Sequence, residues 1–266
     1  MALRPWLADL LVALRFYTRL PLPVLPWERD PYGAPCWRRT GRVAPVAGAV
    51  IGALGGLVLA LASLLHLPTL PAAALAVTVL VLITGAFHED GLADTADGFG
   101  GGRDRAHRLV IMRDSRIGSF GGSALVLAVV LRVSALDSVL QIAGPWRTIA
   151  ILAAAGAASR AAGLALTALL EPARIDGAAA STGRPGPEGL VAASLSAALL
   201  VLLLLVPTLG VRAMVIALVA PTLTLFAMAR LSQAKIGGQT GDVAGATQQV
   251  AEITILLGLL MFASFR

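Results

Sequence analysis

The chain has 266 residues, 57% of them hydrophobic and only 14% charged, with a mean hydropathy of +0.83 and a formal net charge of +6. Soluble domains carry about 25% charged residues, so the composition excludes a soluble globule and predicts an all-α polytopic membrane bundle, residues 1–266 forming one domain. The basic residues are not interleaved with aromatics on a soluble face, which argues against a nucleic-acid partner, and the single cysteine, Cys36, excludes an internal disulfide or thiolate metal site.

Residues 1–20 place apolar side chains at helical spacing between Arg4, Asp9, Arg15 and Arg19. This pattern suits a helix lying in the membrane interface, and no small-residue cleavage site marks a signal peptide. A proline- and aromatic-rich connection follows, residues 21–39. Spans are expected at 43–65, 70–87, 120–140, 149–170, 189–206, 211–229 and 253–265, about seven in all, with six to eight as the range. The first carries Gly48, Gly52, Gly55 and Gly56, small residues that let helices approach closely. The connection 171–188 is polar and broken by glycine and proline.

Arg132 and Arg160 fall inside spans, where a charge is expensive and marks a function by default. Arg132 has a structural alternative, a partner such as Asp137 or a route to the interface; Arg160 is central and is expected to face a polar cavity. Lys and Arg favour one side. With the N-terminus inside, the inner segments hold sixteen of the 21 basic residues and the outer ones three, which orients two acidic, glycine-rich motifs, 88–122 and 235–252, toward the cytoplasm.

The first motif, HEDGLADTADGFGGGRDRAHRLVIMRDSRIGSFGG, holds six of the chain's fifteen acidic residues. On a helix Asp90, Asp94 and Asp97 stand at i, i+4 and i+7 and share one face. Carboxylates so placed repel one another and call for a cation or a proton among them. Mg²⁺ is bound by a few carboxylates together with substrate phosphates, and the following Arg103, Arg105, Arg108, Arg113 and Arg116 suit phosphate oxygens. Acid, glycine and arginine in this order point to metal-assisted phosphoryl transfer. The second motif, KIGGQTGDVAGATQQVAE, sets Asp242 among glycines, with Lys235 as a phosphate-binding charge and Gln239 and Thr240 as hydrogen-bond donors. Read as a second loop on the same side, it shares a site with the first.

These two motifs, with FYTRLPLP at residues 16–23 and the glycine-rich first span, closely resemble the cobalamin synthase family, the adenosylcobinamide-GDP ribazoletransferases. The resemblance implies a Mg²⁺-dependent enzyme of the bacterial or archaeal inner membrane. Such an enzyme transfers the cobinamide-phosphate moiety of adenosylcobinamide-GDP to α-ribazole or its 5′-phosphate and releases GMP. On this reading Asp90, Asp94, Asp97 and Asp242 hold metal, and Asp94 or Asp97 accepts the attacking hydroxyl's proton. His88, Glu89, Arg103, Arg113, Asp114, Ser115, Arg116, Arg160, Lys235, Gln239 and Thr240 contact substrate. The bilayer is the other partner, and self-association stays open. Asp94-x-x-Asp97-Gly98 also matches the start of the CDP-alcohol phosphotransferase motif without its remainder, which makes that activity the alternative enzyme. A cation-coupled transporter is the alternative outside enzymes.

Overall fold

The computed structural model describes residues 3–28, 30–174 and 182–262, and its architecture is a polytopic helical bundle. The helices are α1 (Leu3–Tyr17), α2 (Trp37–Thr40), α3 (Ala44–Leu64), α4 (Thr69–Thr84), α5 (Phe87–Gly101), α6 (Arg105–Ile111), α7 (Ser119–Ala143), α8 (Pro145–Leu169), α9 (Pro187–Leu209), α10 (Val211–Ile236) and α11 (Gly241–Phe262). A 3-10 turn at Gly41–Val43 joins α2 to α3. Six of these stretches are long and apolar enough to cross a membrane, and α4 with α5 makes a seventh if that bent pair counts as one span.

The centre of the bundle is α8, buried along most of its length, against which α3 packs with almost no intervening side chains. A Cβ at Gly48 would run into the Gly156 carbonyl and the Arg160 side chain, so glycine sets this approach. By contrast α9 and α10 bury little of their apolar surface and present rows of leucine, valine and phenylalanine outward, as lipid-facing helices do.

Two boundaries differ most from the sequence reading. α10 runs on through Lys235 and ends at Gly237, whose φ of 65° makes a left-handed cap. The last span starts at Gly241 and not near 253; the tail of the expected span, 263–265, lies outside the described residues, as does 175–181 of the connection 171–188. The polar run Gly241–Glu252 was read as loop, yet Thr247, Gln248 and Gln249 are buried in the bundle. Polar side chains with partners inside the protein leave the backbone free to stay helical. The second motif is therefore a four-residue turn, 237–240, and the start of a spanning helix.

The α4–α5 break matters most for the site. Gly85 and Ala86 both take left-handed backbone conformations, φ 64° and 56°, which for alanine is uncommon. They turn α5 by 90° from α4, so α5 lies across the end of the bundle and carries the first acidic motif there. α1, 15 residues long, packs against α2 and α3 and is anchored by the buried Asp9, which pairs with Arg39 and Arg42 at 2.7 Å each.

Candidate active site

Asp90, Asp94 and Asp97 lie in helical register on α5, as their spacing predicts, and α5 crosses the start of α11. At the crossing Gly91 meets the backbone of Asp242; a Cβ there would approach the Asp242 carbonyl oxygen to 2.8 Å. This close contact brings the acids of the two motifs to one place. Burial, then the charges of Asp90, Asp242 and Asp97, push the Asp94 carboxyl up to about 7.

The four aspartates are not equivalent. Asp97 is buried, and its oxygens accept the backbone N–H groups of Gly118 at 2.7 Å and Gly121 at 2.8 Å, capping the start of α7. Asp242 accepts from Arg174 at 3.0 Å and from the Thr240 hydroxyl at 3.1 Å. Among the described residues the side chains of Asp90 and Asp94 have no hydrogen bond or ion pair. No three His, Cys, Asp or Glu side chains among those residues converge closely enough to hold a metal alone. Open carboxylates such as those of Asp90 and Asp94 are the donors a hard divalent cation takes when substrate phosphates complete its shell.

Arg174 was not singled out from the sequence, where it sits in a connection without a motif. Its neighbours place it: Ala173 N–H donates to the Gln239 carbonyl and Gln239 N–H to the Glu171 carbonyl, both at 2.8 Å. Gly238 allows this pairing, since a Cβ would strike the Glu171 carbonyl. One Arg174 nitrogen, Nη1, is buried without a partner among the described residues.

The other expected substrate contacts separate into groups. Lys235 donates to the Phe99 carbonyl at 3.2 Å and Arg108 to the Lys235 carbonyl at 2.9 Å, while Arg105 donates to the Ala173 carbonyl at 3.1 Å. These cations fasten α5 and α6 to the end of α10 and to the connection after α8. Thr240 caps α11, its hydroxyl accepting from Val243 N–H at 3.3 Å. Gln239 is fully buried and neither amide atom of its side chain has a partner. Arg103, Arg113, Ser115 and Arg116 are exposed; Arg116 pairs with Asp114 at 2.6 Å, which holds the Asp114 carboxyl down at about 2.

Glu89 turns the other way, into the bundle. Its Oε1 accepts from Arg132 and from Gln249, each at 2.8 Å, and Arg132 also reaches Glu252 at 3.2 Å. Arg132 is thus paired, but not with Asp137, which accepts from Gln141 at 2.9 Å instead. Arg160 is buried too, and its one hydrogen bond, to the Gly156 carbonyl, is long at 3.3 Å. Its guanidinium lies over the Tyr17 ring, which in turn stacks on His88. Glu252, Gln248 and Gln249 were visible in the second motif as polar residues at helical spacing, a signal of one helix face that was left unassigned.

The family profile described as cobalamin-5-phosphate synthase matches residues 9–260. The chain belongs to that family. It is 58% identical over 254 residues to an adenosylcobinamide-GDP ribazoletransferase of Xanthobacter autotrophicus, covering 96% of each chain. The corresponding protein of Azorhizobium caulinodans is 53% identical over 257 residues, 97% of each, and that of Mesorhizobium japonicum 43% identical over 254, which is 96% of this chain and 93% of the relative. No solved structure matches the chain. The match covers all of α3 to α10 and both acidic motifs, so the site just described is the family's own region and not an appended segment.

Proposed function

We propose that this membrane transferase joins the cobinamide-phosphate moiety of adenosylcobinamide-GDP to α-ribazole or its 5′-phosphate, with GMP as the leaving group and Mg²⁺ as cofactor. The observation that carries the reading is the pair Asp90 and Asp94, unpartnered beside Asp242 and Arg174 at one end of the bundle. Asp90, Asp94 and, once its Arg174 contact loosens, Asp242 would hold the cation. Bound there, Mg²⁺ supplies charge neutralisation to a pyrophosphate.

The residues of the chain do the rest. Arg174, with an unused buried N–H, binds a phosphate oxygen in place of or alongside Asp242. A ribazole hydroxyl attacks the cobinamide-side phosphorus, and GMP leaves with the bridging oxygen. Asp94, with no hydrogen bond or ion pair among the described residues, is placed to accept the hydroxyl's proton on the oxygen turned away from the cation. Asp97 is committed to the α7 cap, so it positions α5 against α7 and supports Asp94 from one turn away. The lysine and arginine asymmetry supports a cytoplasmic position for this end of the bundle, on the side of the inner membrane where nucleotides and Mg²⁺ are available.

The test is GMP release by purified protein in detergent, given adenosylcobinamide-GDP and α-ribazole, with Mg²⁺ or with EDTA. Release that needs both substrates and the metal, with a cobalamin product, supports the assignment. Release without the ribazole acceptor contradicts the transfer step, and undiminished release in EDTA contradicts the metal.

A further inference from the structure

Beside the acidic cluster lies a second feature that phosphoryl transfer does not account for. A cavity of about 610 Å³, its open mouth included, is lined mostly by apolar surface and by aromatic rings from separate elements: Phe16 and Tyr17 of α1, Trp37 of α2, Phe87 and His88 of α5. The rings hold one another in place. Phe16 meets Trp37 and Phe87 edge-on at 5.1 Å each, and Tyr17 stacks on His88 at 5.6 Å. Apolar walls with a few fixed polar groups are the make-up of small-molecule sites.

The fixed polar group is Arg160. It is 3% exposed and lines the cavity, and among the described residues it pairs with no carboxylate and its Nε–H has no acceptor. A buried cation without a counter-charge is costly, and this one borders the space a ligand would fill. Other cavity residues connect this space to the reacting end: Gly241, next to Asp242, is part of the lining, and His88 is two residues before Asp90.

Resting on the transferase reading above, we propose that this cavity is the subsite for the heteroaromatic base of the ribazole acceptor. The base is planar and mostly apolar, and stacks among Tyr17, Trp37 and His88. Its unsubstituted ring nitrogen is an acceptor without a proton, and the Arg160 guanidinium donates to it. The ribose then extends past Gly241 toward Asp94. The guanine of the donor is a poorer occupant. Its edge presents adjacent N–H donors that call for a carboxylate, and among the described residues no Asp or Glu lines the cavity. The corrin, far larger and fringed with amides, is unsuited to a space of this size and apolarity.

Two variants probe the subsite, Trp37→Ala to remove a wall and Thr167→Phe to fill the cavity, with Trp37→Phe as the conservative control. The expected result is a KM for α-ribazole raised about tenfold or more, the scale of a lost base–aromatic stack, with KM for adenosylcobinamide-GDP unchanged and Trp37→Phe close to wild type. A rise confined to adenosylcobinamide-GDP, or no rise in either, overturns the assignment while leaving the transferase reading intact. Absence of GMP release by the wild type with both substrates takes down both. Should the variants fail to fold, a photoreactive benzimidazole riboside on wild-type protein decides: labelling at 16–17, 37 or 241–248 supports the subsite, and labelling only elsewhere contradicts it.

Discussion

Glu89 and Asp90 are neighbours on α5 and end in opposite environments. Glu89 points into the bundle and shares Arg132 with Glu252, with Gln249 completing the contact. Asp90 points outward beside Asp94, and neither side chain has a partner among the described residues. In the first region each carboxylate has found an opposite charge, as burial among apolar helices demands. In the second the charges are alike and left open. A protein that can satisfy its acids, and does so one residue away, leaves others unsatisfied where a ligand completes them.

If that contrast is right, the two regions fail differently when altered. Asp94→Asn should lower GMP release by about a thousandfold or more, the scale of losing charge stabilisation at a reacting centre, while thermal stability in detergent holds or rises because a like charge is gone. Arg132→Met should do the reverse: it strands Glu89 and Glu252, costs about 3–5 kcal/mol of stability, and leaves the surviving folded fraction active. Matched melting curves and GMP assays on the two variants check both; equal loss of stability in each would erase the distinction.

Arg174→Ala is expected to raise KM for adenosylcobinamide-GDP about tenfold, as loss of one charge-assisted hydrogen bond would, with Arg174→Lys recovering part of it. Steady-state kinetics with the acceptor saturating isolates this effect.

A smaller effect concerns pH in metal-free protein. The folded value for Asp94, about 7, lies above its ordinary 3.8, so its ionisation opposes folding. The cost is absent below 3.8, grows as pH rises toward 7 and then levels off. Melting temperatures in EDTA should therefore decline over that window in wild type and decline less in Asp94→Asn. Arg116→Gln should change least, since the Arg116–Asp114 pair lies at the surface with the Arg116 side chain 85% exposed; its melting temperature should match wild type, and a fall in turnover alone would mark a phosphate contact.

The membrane bundle and the acidic register were legible because both depend on short-range periodicity. The apolar runs of α3, α7, α8, α9 and α10 read directly as spans, and the i, i+4, i+7 spacing of Asp90, Asp94 and Asp97 holds on α5. What escaped depends on partners distant in sequence. Gly241–Glu252 looks like a loop until Gln249 and Glu252 are seen to meet Glu89 and Arg132, more than a hundred residues away. Arg174 has no local signal at all; only the backbone pairing of 171–173 with Gln239 carries it to Asp242. Asp97 looked like a third equal ligand, because a backbone cap from α7 leaves no trace in residue spacing.

The central claim is that Asp90 and Asp94 are completed by a divalent cation shared with substrate. Binding of Mn²⁺ as a Mg²⁺ substitute, followed by electron paramagnetic resonance on purified protein with and without adenosylcobinamide-GDP, tests it without turnover. The account predicts weak binding by the protein alone, tight binding with the pyrophosphate substrate present, and loss of that gain in Asp94→Asn. Undiminished substrate-dependent Mn²⁺ binding in Asp94→Asn would contradict it.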